Sequence, residues 1–270
     1  MPKYLIAIDL DGTLMRSGDV MSNYTKKILS AIEKEGHIVI IATGRPYRMA
    51  KHVYEQLALT TPMINFNGAL THLPGRRWTG ERAYYVAIDH LKSVLNERDN
   101  YEADFVASEY RKKFFITQDS SKPIDTTLLG VDKILPDHQL DPSKITKPPH
   151  SLLIQTRASD KNLLAQEMND YYKGELAINT WGGPRPILEI TDKGLTKATA
   201  LAHLLNEYKM DSNQLIAFGD ETNDIHMFDL AGKSYAMKNA NPLLLEHASH
   251  QTDFTNEEDG VARTLEKLFL

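Results

Sequence analysis

The chain has 270 residues, a formal net charge of −5 and no cysteine. That length can bury a sizeable core as one large domain or two modest ones, and the absence of a polybasic segment speaks against nucleic acid or an anionic membrane surface as the main partner. Without cysteine there is no disulfide, thiolate nucleophile or thiolate metal site. Only Lys3 precedes an apolar run broken at Asp9, which is too short for a signal peptide, and no segment reaches the ~20 apolar residues that span a bilayer. A cytoplasmic protein is expected.

Tyr4-Leu5-Ile6-Ala7-Ile8 reads as a strand buried on both faces, ending in Asp9-Leu10-Asp11-Gly12-Thr13. Side chains two apart share one side of an extended chain, so Asp9 and Asp11 start out facing together. Gly12 permits a sharp turn and Thr13 adds a hydroxyl there. After a polar stretch over 16–21, Ser22 caps a helix reaching Glu35, with Ile28, Leu29 and Ile32 on one face and Gly36 as its stop. Ile38-Val39-Ile40-Ile41-Ala42 is a second buried strand that ends in Thr43-Gly44-Arg45-Pro46. Pro46 suits the first turn of a helix carrying Met49, Val53 and Leu57 inward. Met63-Ile64-Asn65-Phe66-Asn67-Gly68-Ala69 gives a third strand and a turn. Alternating strands and helices predict a parallel α/β sheet.

From about Trp78 the rhythm changes. Strands are expected over 84–87, 104–108 and 113–117, with a helix over 89–98 between the first two. A long Pro- and Asp-rich passage over 122–149 has turn signals and little periodicity. A strand over 152–156, a helix over 159–172 and strands over 176–181 and 187–190 follow. The pattern is two βαββ units in tandem, read as a second domain over 84–190 inserted between a first core part, 1–83, and a second, 191–270. The earlier rhythm then resumes. A helix from Thr196 carries Ala198, Leu201, Leu204 and Leu205 inward, and Leu215-Ile216-Ala217-Phe218 is a buried strand ending in Gly219-Asp220-Glu221-Thr222-Asn223-Asp224. Short strands over 235–237 and 252–254 and a helix over 260–269 complete the chain.

Three apolar strands thus end in polar clusters, and open parallel sheets bind ligands beyond the carboxyl ends of their strands. Asp9 and Asp11, Thr43 and Gly44, and residues 220–224 would converge there, with Lys197 at a helix start within reach. Phosphoryl transfer needs such groups: cations and N–H donors around a negatively charged phosphate, and oxygen ligands for a hard divalent cation. Asp9 with Asp220 can hold magnesium, while the Thr43 hydroxyl and Gly44 N–H suit a phosphate oxygen. With Asp11 as acid and base, a neighbouring carboxylate and partial burial would raise its pKa, against the effect of the metal. Taken singly these features have plain alternatives. The Asp-Gly pair reads as a capped turn, residues 220–224 as a helix N-cap, and Lys197 as a solvated helix lysine. Arg45 reads as a phosphate ligand or a surface ion pair. Trp181, Gly182, Gly183 and Arg185 read as a substrate-facing or a structural turn, and the ten histidines lack metal-ligand spacing.

The Asp-Leu-Asp-Gly-Thr stretch resembles motif I of the haloacid dehalogenase superfamily of phosphohydrolases. Ala42-Thr43-Gly44-Arg45, Lys193-Gly194-Leu195-Thr196-Lys197, Gly219-Asp220-Glu221-Thr222-Asn223-Asp224, Met237-Lys238-Asn239-Ala240 and Glu258-Asp259-Gly260-Val261-Ala262 extend the resemblance over essentially the whole chain, to the Cof-type branch and its YidA-like sugar-phosphate phosphatases. Lys238 stands where that branch usually has Gly, and His226 where a small residue is common. The resemblance implies a Rossmann-like core with an inserted α+β cap of the C2 type. It implies Asp9 as nucleophile forming an aspartyl-phosphate, and Asp11 as general acid and then base. Magnesium would be held by Asp9, the Asp11 backbone carbonyl and Asp220. Phosphate would be held by Thr43, Gly44, Lys197 and Asn223, with the Leu10 backbone close by and Asp224 supporting the metal from behind. Small phosphorylated metabolites, sugar phosphates foremost, are the expected substrates. A phosphomutase sharing the nucleophile and a phospho-acceptor signalling module are the alternatives, and oligomeric state is open.

Overall fold

The structure, a computed structural model, describes residues 3–117, 124–182 and 185–270. Two compact units emerge: the first comprises Met1–Arg45, Ala50–Arg82 and Thr196–Leu270, the second Pro46–Met49 and Ala83–Leu195. Among the described residues no helix is long and apolar enough to cross a membrane.

The first unit is built on an eight-stranded sheet. Its strands are β1 (Leu5–Ile8), β2 (Ile38–Ala42), β3 (Met63–Asn65), β4 (Leu70–His72), β5 (Arg82–Ala83), β11 (Leu215–Gly219), β12 (Lys233–Ala236) and β13 (His250–Gln251). They lie in the order β13-β12-β11-β1-β2-β3-β4-β5. From β13 to β3 every pairing is parallel, and β4 turns back antiparallel on β3. β1 is central, with Leu5, Ile6, Ala7 and Ile8 at 0% exposure, which is why it reads as an unbroken apolar run. Truncating a residue so enclosed, such as Ile40 in β2, would cost about 2–5 kcal/mol.

Four helices of this unit were legible. α1 (Asn23–Lys34) starts where Ser22 Oγ accepts the Thr25 N–H at 3.0 Å, and buries Ile28, Leu29 and Ile32. α2 (Tyr47–Gln56) buries Ala50, Val53 and Tyr54; Met49, expected inside, is only half-buried. α5 (Lys197–Tyr208) buries Leu201, Leu204 and Leu205 as expected, but Lys197 and Ala200 take inward positions and Ala198 does not. α8 (Gly260–Phe269) matches its expected span, whereas β12 and β13 lie about two residues earlier than expected. The short helices α6 (Ile225–Leu230) and α7 (Pro242–Leu245) complete the unit.

The second unit is α+β. Its five-stranded sheet has the order β7-β6-β8-β10-β9, from β6 (Ala103–Glu109), β7 (Phe114–Ile116), β8 (Ser151–Thr156), β9 (Leu176–Thr180) and β10 (Ile187–Asp192). α3 (Ile88–Asn96) and α4 (Lys161–Tyr171) bury Leu91, Val94, Leu164 and Met168 in one apolar cluster with strand residues such as Val106 and Ile154. The expected strand over 84–87 is not one. The chain there bonds to the rest of the unit through Val86 N–H donating to Pro149 O at 2.9 Å, so the first repeat contributes two strands to this sheet and the second three. The passage over 122–149, of which 122 and 123 lie outside the described residues, forms single 3-10 turns at Thr126–Leu129, Pro136–His138 and Pro142–Lys144. Leu128 and Leu129 pack in a second apolar cluster with Phe105, Phe114 and Leu153. In the turn between β9 and β10, Lys161 Nζ donates to the carbonyls of Trp181 and Arg185 at 2.6 and 2.8 Å, which gives those two residues a structural role. Gly183 lies outside the described residues.

Candidate active site

The carboxyl ends of β1, β2 and β11 and the first turn of α5 carry the charged residues of the first unit's site. β11 ends at Gly219, and the chain turns into a single 3-10 turn, Thr222–Asp224, which leads into α6. This brings Asp224 back under the turn at 0% exposure. Its Oδ2 accepts the backbone N–H groups of Asp220 and Glu221 at 3.1 and 3.3 Å, and its Oδ1 accepts from Lys197 Nζ at 2.7 Å. Lys197 Nζ also donates to Asp9 Oδ1 at 2.6 Å. Far from being solvated, the Lys197 side chain is fully enclosed.

Asp220 lies on the other side of this group. Thr13 Oγ1 donates to its Oδ1 at 2.8 Å. Gly12, at φ +72°, lies so close that a Cβ there would stand 2.1 Å from Asp220 Oδ2, so the turn after β1 needs glycine for both its backbone and its space. Asn239 Nδ2 donates to the Gly12 carbonyl at 2.8 Å and fixes the same turn. Oxygens of Asp9, Asp220 and Asp224 all lie within 4.8 Å of one another, a cluster of hard donors that could hold a metal ion.

The Asp9 and Asp220 carboxyls lie near the same ammonium, and burial acts on both. Burial pushes Asp9 well above its ordinary value against the Lys197 charge, with Asp224, Asp220 and Asp11 adding to the rise. Burial raises Asp220 to about 7 despite the Thr13 hydrogen bond, and the Asp224 charge adds to it. For Lys197 burial disfavours the charge, but Asp224 and Asp9 outweigh it and the ammonium is held more firmly than in a free lysine.

Asp11 does not join the cluster. Its side chain is 62% exposed rather than partly buried, and it forms a bidentate pair with Arg45: Nε to Oδ2 at 2.8 Å and Nη2 to Oδ1 at 2.6 Å. Arg45 Nη1 reaches Asp19 at 2.7 Å, and His52 Nε2 lies 2.9 Å from the other Asp19 oxygen. Alternation along a strand brought Asp9 and Asp11 together in the sequence reading, but β1 ends at Ile8 and the chain is already turning between them. Leu10 is buried, and its carbonyl accepts the N–H groups of Leu14 and Met15 at 3.0 and 2.9 Å.

At the end of β2, Thr43 is 1% exposed and its Oγ1 accepts the Arg45 N–H at 3.0 Å, tightening the Thr43-Gly44-Arg45 turn. Asn223 is exposed, and its Nδ2 donates to Asn67 Oδ1 at 3.1 Å. Sequence reading missed Asn67, Asn239 and the Thr13 contact to Asp220. The Asn67-Gly68 pair was visible only as a turn signal, and Asn239 only as part of a family motif.

The sequence model of the haloacid dehalogenase-like hydrolases matches residues 6–265. The chain is 32% identical over 266 residues to the 5-amino-6-(5-phospho-D-ribitylamino)uracil phosphatase YitU of Bacillus subtilis, covering 98% of this chain and 97% of that one. It is 28% identical to YcsE of the same organism, which carries the same phosphatase name, over 97% and 94% of the two chains. A haloacid dehalogenase-like hydrolase from Bacteroides thetaiotaomicron shares the fold with a TM-score of 0.85 at 24% identity, over 99% of this chain and 100% of the other. The protein therefore belongs to the haloacid dehalogenase-like hydrolases, in their Cof-type branch, and is a phosphatase.

Proposed function

We propose that the protein is a magnesium-dependent phosphatase of small phosphorylated metabolites, with sugar and sugar-alcohol phosphates as its substrate class. The observation that carries this reading is Lys197 Nζ bridging Asp9 and Asp224 beside Asp220 at the strand ends. Two relatives named as phosphatases of a phosphoribityl compound support the substrate class. The residues fit a divalent cation: buried Asp9 and Asp224 and half-buried Asp220 against one ammonium lack positive charge, and all the donors are oxygen. Asp9, the Asp11 backbone carbonyl and Asp220 would hold magnesium, and Asp224 would support it through the backbone N–H groups it accepts. When bound, the ion would neutralise charge on the transferring phosphoryl group.

The side chains divide the remaining work. Thr43, Gly44, Lys197 and Asn223, with the Leu10 backbone, hold the phosphate oxygens. Asp9 attacks phosphorus; the ester P–O bond breaks and Asp11 gives its proton to the leaving oxygen, leaving an aspartyl-phosphate. Asp11 then takes a proton from water as that water attacks phosphorus, which restores the Asp9 carboxylate and releases inorganic phosphate. Asp11 must leave Arg45 to do this. The segment over 84–190 serves as the cap domain that selects substrates, and 1–83 and 191–270 form the core domain.

The test is phosphate release from a panel of phosphorylated metabolites, with and without magnesium, by the wild-type protein and by Asp9→Asn. Loss of about a thousandfold or more in kcat for the variant is expected; near wild-type turnover would sink the assignment of Asp9.

A further inference from the structure

Residues 66–68, between β3 and β4, have a left-handed run of backbone that the Phe66 side chain does not explain. Phe66 and Asn67 both have φ +51° and Gly68 has φ +112°. Positive φ suits glycine and is tolerated by asparagine, but a bulky residue such as Phe66 is an outlier there, and a short hairpin normally places Gly or Asn at such positions. Phe66 is nonetheless fully buried and held in this state. Strain of this kind persists only where the surroundings impose it, and it concentrates at functional sites.

The surroundings are the segments proposed to hold phosphate, all within the first unit. Asn67 N–H donates to Thr43 O at 3.2 Å, and Asn65 Nδ2 donates to Arg45 O at 2.9 Å, so the loop is bonded along the Thr43-Gly44-Arg45 turn. The Asn67 amide lies against Gly44, where a Cβ would stand 3.1 Å from its Nδ2. Its Oδ1 accepts from Asn223 Nδ2. Gly68 abuts the start of α5: a Cβ there would stand 2.3 Å from the carbonyl of Thr196, the residue before Lys197. One loop therefore touches the Thr43-Gly44 turn, the Asn223 side chain and the turn that carries Lys197.

We infer that Asn67 is a positioning residue for phosphate binding. Its carbonyl holds the exposed Asn223 amide by one N–H, which leaves the second N–H in a fixed direction, and its side chain backs the Gly44 turn. The left-handed backbone at residues 66 and 67 is what delivers the Asn67 amide to that place. The inference rests on the phosphatase reading of the site, and adds a residue to it.

Asn67→Gly removes the amide while suiting the backbone better than asparagine does, so affinity and stability should part company. Inorganic phosphate, titrated calorimetrically into the full chain with magnesium present, is the probe. We expect its Kd to rise about three- to tenfold, the worth of one preorganised side chain, with a Tm equal to or above that of wild type. Because Asn67 acts through Asn223, the effect should shrink when measured in an Asn223→Ala background. Wild-type phosphate affinity in Asn67→Gly, a lowered Tm, an undiminished effect in the Asn223→Ala background, or a wild type that binds no phosphate would each overturn the inference. A wild type that binds phosphate but releases none from any ester would instead overturn the phosphatase reading.

Discussion

Replacing Lys197 by Met tests the electrostatics of the buried cluster. The substitution keeps much of the side-chain volume and removes the charge that Asp9 and Asp224 share at 2.6 and 2.7 Å. All three side chains are at most 9% exposed, so solvent cannot replace the lost partner. Breaking a buried pair by removing one member costs about 3–5 kcal/mol. At about 2–4 °C per kcal/mol, the Tm of the first unit, measured at neutral pH with a chelator present, should fall by about 6–20 °C. The sign of the pH dependence follows from Asp9. Burial already raises its pKa, and Lys197 opposes that rise, so the variant raises it further. A carboxyl whose folded pKa lies above its unfolded value contributes stability that is complete below the ordinary carboxylate range and is lost as pH rises through the folded pKa. Lys197, its own pKa raised, stays charged throughout in the wild type. The deficit of the variant should therefore be smaller at about pH 5 than at about pH 8. An unchanged Tm at neutral pH, or a deficit that grows in acid, would refute the buried ion triad.

Two other outcomes follow from the same cluster. Thr13→Val is nearly isosteric and removes the hydroxyl that donates to Asp220; it should raise the magnesium concentration for half-maximal activity about tenfold or more, with little change in fold by circular dichroism. Asp220, raised to about 7, makes the metal-free protein lose stability as pH rises from the ordinary carboxylate range through about 7, and a cation that binds the ionised carboxylate reverses that loss. The Tm gain from magnesium over chelator should accordingly be larger at about pH 8 than at about pH 6 in a thermal-shift assay, and equal gains would contradict it.

The sequence carried the architecture of the first unit because its signals were local. Unbroken apolar runs marked β1, β2 and β11, and Ser22 marked the start of α1 through a hydrogen bond three residues long. The strand expected over 84–87 failed because an apolar, β-prone run needs a partner edge, and among the described residues this run is tied by isolated bonds, Val86 N–H to the Pro149 carbonyl and the Tyr84 carbonyl to His150. In the site, Asp9, Thr43, Lys197, Asp220 and Asp224 were legible as residues at strand and helix ends. Their burial was not. A lysine on a helix reads as solvated until the two carboxylates around it come from residues 188 and 27 positions away. Asp11 and Arg45 were each noticed, but their pairing over 34 positions was invisible, and so was the turning of Asp11 away from Asp9. Asn67 was hidden for the same reason: its role depends on Gly44, Asn223 and Thr196, which no local pattern connects.

The proposed role of Asp9 as nucleophile can be read directly from the covalent intermediate. Reductive trapping with borohydride during turnover of a phosphorylated substrate converts an aspartyl-phosphate into the corresponding alcohol, which mass spectrometry locates in the peptide. Modification is expected at Asp9, dependent on both substrate and magnesium and absent in Asp9→Asn. Trapping at another residue, or none at Asp9 in an enzyme that is releasing phosphate, would contradict it.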